Sequence, residues 1–285
     1  MPAVPSPGLL WVGIRMLLAA QSKCWGIIAG IALCTLLVCQ QLSIFWGLLD
    51  RASWLVRDTA QADLWVMAPS TSSLLPMQSL PSTAISRVRA VAGIEWAVPL
   101  SVYASRIHTD GGVVESATVV AFDEKSFVGV PNAFLLGTAD SLRSTDNVAV
   151  TVVGYAILFP NQSLRLGDTA EINDHRVRIA AIVDAPPAFR SNLVIYSRRD
   201  LAMQMMPSHR SELGFVLAKV DEGVFAPSKA TQVASLTGYK VTTAAAFKAE
   251  VTDTLISKTG IPFSIGMVVA LGAITGITIV GLTFG

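Results

Sequence analysis

Hydrophobic and polar positions divide the chain into three unequal parts. Residues 24–49 and 261–285 are runs of 26 and 25 residues without a charged side chain. Between them, apolar positions come in short clusters broken by turn formers and charges. At ~1.5 Å per residue, a helix of ~20 residues crosses the ~30 Å hydrocarbon core of a bilayer. Both outer runs exceed that length, so each predicts a transmembrane helix. The middle predicts a folded, water-exposed domain hung between them, over residues 50–260.

Residues 62–68 (ADLWVMA) read as a strand. After Pro81 and Ser82, residues Ala84, Ile85, Val88 and Val91 share one helical face, which predicts a helix over 81–91. Residues 95–107 return as a strand, so 62–107 make one β-α-β unit. A strand at 213–220, a helix at 227–236 and a short strand at 238–241 make a second. Two such units predict a split ferredoxin-like subdomain. Residues 109–207 are then a β-rich insertion between its halves. There, Asp110-Gly111-Gly112 is a hairpin signal leading into a strand at 113–122. Residues 123–146 read as irregular, and 147–159 stay open between strand and helix. Strands are expected at 169–172 and 175–183 around the Asn173-Asp174 turn, and at 193–196, followed by a helix over 198–206. Two helical stretches tie this domain to the spans. Residues 50–61 continue the first span's helix beyond the bilayer, and residues 243–259 lead into the second, with Gly260 and Pro262 at the join. The fold class is thus membrane α-helical with two spans, plus an extracytoplasmic α+β domain.

Composition sharpens this picture. Hydrophobic residues are 52% of the chain and charged residues only 14%, yet all 20 acids and 19 of the 21 lysines and arginines lie within residues 50–258. Only Arg15 and Lys23 fall outside, both ahead of the first span. The positive-inside rule therefore puts the N-terminus in the cytoplasm and the middle domain outside, which is periplasmic in a cell with an inner membrane. Residues 1–23 open Pro-rich; residues 9–20 are mostly apolar around Arg15 and read either as a short helix on the membrane surface or as an extension of the first span. The apolar run at 24–49 is much longer than the ~7–15 residues of a signal-peptide core, so it reads as a retained helix.

Candidate chemistry is sparse. Cys24, Cys34 and Cys39 all lie in the first span, so the middle domain uses no disulfide. His108, His175 and His209 are far apart and no Cys or His pair has ligand spacing, so neither metal nor other cofactor is expected. The sequence lacks GxxxxGK[ST], GxSxG and HExxH, which argues against an enzyme and against ATP binding by this chain through a P-loop. A net charge of +1 without any basic run gives no reason to expect nucleic acid. Ser197, Arg198, Arg199 and Asp200 read as a solvated helix start in preference to an anion site. Asn161-Gln162-Ser163 fits a glycosylation sequon of a kind that arises often by chance. Neither span holds an ionisable residue, which argues against an ion-coupled transporter. Small-residue spacing does occur: Gly26 with Gly30, Gly272 with Gly276, and Gly281 with Gly285. In lipid, such glycines let helix backbones approach closely, so Gly26, Gly30, Gly272 and Gly276 are the candidate packing sites.

The layout, the ADLWVMAP strand, the PSTAISRVRAVAGIEWAVPL unit, the run LFPNQSLRLGDTAEINDHRVRIAAIVD and the closing GIPFSIGMVVALGAITGITIVGLTFG resemble the permease subunits of MacB/FtsX-type ABC transporters, most closely their DevC-like branch. The resemblance implies an exporter permease that pairs with a second copy in the membrane lipid and with two copies of a separate ATPase subunit, some relatives also using a periplasmic adaptor protein. The stretches 50–61 and 243–259 are the natural transmitters of motion to the outer domain. The family pattern continues through two further spans, and the loop after the second span contacts the ATPase. Residues 1–285 are therefore expected to be the N-terminal part of such a permease, a truncated product, or half of a split one. A two-span membrane sensor or assembly protein with an extracytoplasmic binding domain is the alternative. The substrate stays open among lipid, glycolipid, peptide and drug.

Overall fold

The computed structural model describes residues 8, 11, 21–59, 61–72, 74, 78–206, 213–258 and 260–284. The surface helix expected within residues 9–20 lies outside the described residues, Trp11 excepted. The chain divides into two units, residues 1–48 with 256–285, and residues 49–255.

In the first unit, helix α1 (Gln21–Ala52) and helix α8 (Ile261–Phe284) are long and apolar enough to cross a membrane. Among the described side chains of α8, Gly272 and Gly276 are the buried ones within a helix otherwise exposed or half-exposed. On α1 the least exposed positions include Gly26, Gly30, Cys34, Leu37, Gln41 and Phe45, a stripe at intervals of three and four. That spacing marks one face of a helix.

The second unit contains two bodies. In the first, β1 (Leu64–Met67), β2 (Ile94–His108), β9 (Phe215–Val220) and β10 (Lys240–Thr243) lie in the order β10-β1-β9-β2, every neighbour antiparallel. Helix α3 (Ala84–Arg89) connects β1 to β2, and helix α6 (Ala226–Thr237) connects β9 to β10. This is the ferredoxin-like arrangement expected from the two β-α-β units. Apolar positions of β1 alternate between two faces. Leu64 and Val66 join Val88 and Val233 in a core beneath the helices, while Trp65 points to the other side, against Phe215. Helix α6 carries Pro227 in its first turn and stops at Gly238, whose φ of +74° a β-carbon would strain. That stop delays the last strand to 240–243 from the expected 238–241.

The insertion is a barrel. Strands β3 (Val114–Phe122), β5 (Asn147–Thr151), β6 (Thr169–Ile172), β7 (His175–Val183) and β8 (Leu193–Arg198) combine with the second half of β2 in the closed order β2-β3-β8-β5-β7-β6-β2. Closure pairs each of these six strands with a neighbour on both sides. Tyr103, Ile107, Val119, Val148, Val150, Ile172 and Ile195 belong to its core, with Tyr155 and Leu158 from helix α4 (Val152–Leu158) and Leu201 and Met205 from helix α5 (Arg199–Met205). Asn173 and Asp174 hold φ of +47° and +63°, the left-handed pair that a two-residue hairpin requires.

Three expectations are corrected. The insertion starts inside β2, at Ser101, and not at residue 109: Leu100 pairs with Phe215 of one body, and Ser101 with Ala121 of the other. One continuous apolar strand serves two sheets, and its composition does not change where its partner does. Residues 123–146 are not wholly irregular, since β4 (Phe134–Leu136) adds to β7 and a 3-10 turn covers Ala139–Arg143. The open stretch 147–159 is both strand and helix, divided at Thr151, whose hydroxyl accepts a hydrogen bond from the Gly154 amide at 3.2 Å and so caps α4.

Candidate functional site: the junction of the two membrane connections

The chain enters the outer domain through helix α2 (Trp54–Asp58) and leaves it through helix α7 (Ala244–Lys258). Both connections meet the ferredoxin-like sheet at the same end. Leu64, which opens β1, pairs with Thr243, which closes β10. Antiparallel pairing of those two strands places the incoming and outgoing segments side by side.

Asp63 binds this junction together. Its amide donates to the Ala218 carbonyl at 3.0 Å, and its carbonyl accepts from the Ala244 amide, the first of α7, at 3.2 Å. Its carboxylate accepts from the Val220 amide at 3.1 Å. One residue therefore ties the incoming segment, β9 and the outgoing helix. A carboxylate accepting from a backbone N–H makes a charge-assisted bond, stronger than a neutral one.

The outgoing helix is anchored by aromatic packing. Phe247 is fully buried, with ring centroids 5.3 Å from Trp65 and 6.0 Å from Phe215, and Trp65 meets Phe215 edge-on at 5.3 Å. Such rings attract beyond their buried area by about 0.5–1.5 kcal/mol per pair. Val251 and Leu255 continue the buried stripe at intervals of four. Lys240 of β10 forms an ion pair with Glu250 of α7, and its ammonium also donates to the Thr71 carbonyl at 2.6 Å.

The incoming connection is not the unbroken helix expected over 50–61. It breaks at Ser53 and stops at Asp58, where the Thr59 hydroxyl donates to the Leu55 carbonyl at 2.8 Å. Trp54, Leu55 and Val56 are all buried. The Trp54 ring stands edge-on to Tyr196 of β8 at 6.4 Å, and Arg51 Nη1 donates to Asn192 Oδ1 at 3.1 Å just before that strand. Asp58 Oδ2 and the Tyr196 hydroxyl are buried without a hydrogen-bond partner. Burial pushes the Asp58 carboxyl above its ordinary value, against the pull of Arg57. Tyr196 is raised well above the usual phenol value, by burial and then by the charge of Asp58.

The glycines named from sequence lie in the other unit. A β-carbon on Gly276 would fall on the Cys34 sulfur and 3.5 Å from the Gly30 carbonyl oxygen; one on Gly272 would lie 3.0 Å from Leu37 Cδ1. The Cys34 thiol donates to the Gly272 carbonyl at 3.1 Å. Gly26 is half-buried on the same stripe as Gly30. Ser197–Asp200 is occupied by its own contacts: Arg198 donates to Asp200 Oδ2 at 2.6 Å and to the Arg143 carbonyl at 2.5 Å. Among the described residues, no cluster of His, Cys, Asp or Glu could hold a metal ion. Asp63, Trp65 and Phe247 were not legible as a site, because their partners lie about 150 to 180 residues away along the chain (Asp63 with Val220 and Ala244, Trp65 with Phe215 and Phe247).

Residues 25–236 match the family model of the MacB-like periplasmic core domain. Among solved structures, the chain is similar to the periplasmic region of MacB from Actinobacillus actinomycetemcomitans, at 16% identity and a TM-score of 0.51, over 72% of this chain and 97% of that one. It is also similar to the extracellular domain of the ABC-type transporter YknZ from Gram-positive bacteria, at 13% identity and a TM-score of 0.47, over 64% and 98%. No curated protein matches it. The MacB likeness agrees in fold with the ferredoxin-like body and its barrel, and the family model spans most of the sequence. The chain belongs to the MacB-like periplasmic core domain family.

Proposed function

We propose that this chain is the permease subunit of an ABC exporter, in which a separate ATPase drives motion of the outer domain through the two membrane connections. Family membership carries the coarser part, a membrane-anchored transporter component with an extracytoplasmic domain. The observation behind the finer part is the junction at Asp63. The incoming segment and the outgoing helix are both hydrogen-bonded through Asp63 at one end of the sheet, and Phe247 packs the outgoing helix against it, so motion of either connection is passed to the sheet. The N-terminus is cytoplasmic and the outer domain periplasmic, at the cell inner membrane. A second copy of the permease pairs with this one, a periplasmic adaptor is a further partner in this reading, and the DevC-like branch is its place in the family. Close packing of the spans at Gly30, Gly272 and Gly276, with Gly26 at the end of the same stripe, keeps them moving together.

Two experiments test this. Purification of the chain from its native membrane is expected to bring down a P-loop ATPase in a complex that nucleotide strengthens or weakens. Absence of any such ATPase favours a two-span sensor or assembly protein. Val251→Pro, which breaks the outgoing helix, is expected to abolish transport while the ATPase stays bound. Unchanged transport defeats transmission through that helix.

A further inference from the structure

The two bodies of the outer domain are joined in β2. Ile94–Leu100 pairs with β9, and Ser101–His108 pairs with β3, so the strand exchanges all its partners between two adjacent residues. Pro99, one residue earlier, has no N–H to give to a ladder, and β2 is an edge strand of the ferredoxin-like sheet at that point. The Ser101 hydroxyl accepts from the Gly214 amide at 3.3 Å, where the chain returns from the barrel. Beside this crossing lies a cleft of 510 Å³. One wall carries Ile85 and Arg89 of the ferredoxin-like body, the other Glu124, Lys125 and Asp200 of the barrel, and Pro99 lies between them. The membrane connections treat the two bodies differently. The outgoing helix packs on the ferredoxin-like sheet through Phe247 and Glu250. The incoming one rests on the barrel through Trp54 against Tyr196 and Arg51 to Asn192, before it reaches Asp63.

We propose that the Leu100–Ser101 step of β2 is a hinge between the ferredoxin-like body and the barrel, and that the incoming connection works it, opening and closing the cleft. The inference rests on the transmission reading above and adds a motion inside the outer domain. A tilt of α2 acts on the barrel through Trp54 and Tyr196, while Asp63 fastens the sheet to α7. Two bodies that each hold a hydrophobic cluster of their own, joined where one strand changes sheets, are an arrangement in which a few residues absorb a rotation.

The test uses the full chain in lipid nanodiscs with Cys24, Cys34 and Cys39 replaced by Ser. Nitroxide labels at Ile85→Cys and Glu124→Cys span the cleft; a control pair at Glu115→Cys and Arg176→Cys lies within the barrel. Pulsed EPR is expected to give a cross-cleft distance distribution about twofold wider than the control, as hinged bodies sample more than one arrangement. Trp54→Ala and Asn192→Ala should each shift the cross-cleft mean and leave the control in place. Asn192→Ala removes one exposed hydrogen bond, so it keeps the test alive if Trp54→Ala fails to fold. A cross-cleft distribution as narrow as the control, or one that neither variant moves, overturns the hinge. No ATPase enters the measurement. A moving cleft in a chain that binds no ATPase keeps the hinge and sinks the exporter reading; a rigid cleft in a chain whose transport Val251→Pro abolishes does the reverse.

Discussion

The incoming membrane connection buries three consecutive residues, Trp54, Leu55 and Val56, whereas the outgoing one buries a stripe, Phe247, Val251 and Leu255, at intervals of four. Consecutive residues on a helix point about 100° apart, so a helix that buries all three is enclosed by protein. A stripe at intervals of four needs cover on one side only. The incoming segment therefore passes between structures, while the outgoing helix lies on the sheet with its far face in water. Two segments with the same task of joining a span to a domain can differ in how many partners they couple.

The largest expected effects test that contrast directly. Trp54→Ala and Phe247→Ala should each cost about 3–5 kcal/mol, the usual range for truncating a buried aromatic. Lys248→Ala, on the exposed side of the outgoing helix, should stay within about 0.5 kcal/mol. Urea unfolding of the three variants reads both numbers, and a large Lys248→Ala cost breaks the one-sided picture. Next comes the residue both connections share. Asp63→Ala removes the acceptor for the Val220 amide and should cost about 1.5–3 kcal/mol. A cost below that range means the backbone bonds at Asp63 suffice without its side chain.

A smaller effect is expected in the spans. Gly276→Ile puts side-chain atoms where Cys34 lies and should weaken span packing by about 1–2 kcal/mol, the scale of helix contacts in lipid. Labels at Gly47→Cys and Ser264→Cys should then report a longer interspan distance; an unchanged distance removes Gly276 from the packing. The smallest effect is a matter of sign. Asp58 binds its proton more tightly folded than unfolded, because burial raises its pKa from 3.8. Its contribution is greatest at acid pH and falls as pH rises through the folded pKa. Asp168 behaves oppositely: burial raises it, but the bonds from Arg165 and Tyr155 together win and lower it. Its contribution is present above the unfolded pKa and lost as pH falls through the folded one. Melting temperature against pH should therefore flatten in opposite senses for Asp58→Asn and Asp168→Asn. Slopes of the same sense would contradict one of the two assignments.

Much of the fold was legible in the residues. The uncharged runs at 24–49 and 261–285 mark the two helices long and apolar enough to cross a membrane, because a bilayer core tolerates few charges. The Asn173-Asp174 turn and the strands around it follow from local chemistry, as does the end of α6 at Gly238. The spacing of Gly272 and Gly276 was visible as well. Their neighbours Cys34 and Leu37 were not, since spacing on one helix says nothing of register on another.

What the sequence by itself determined is therefore local. It set which segments are apolar enough to enter lipid, which alternate as strands, and where turns fall, since these depend on residues within a few positions of each other. Only the tertiary structure decided that β2 serves two sheets, that six strands close into a barrel, and that Asp63 joins both membrane connections. Each of these brings together groups separated by tens to hundreds of residues. A strand buried without a break from Ala97 to Tyr103 carries no mark of where one partner ends and the next begins.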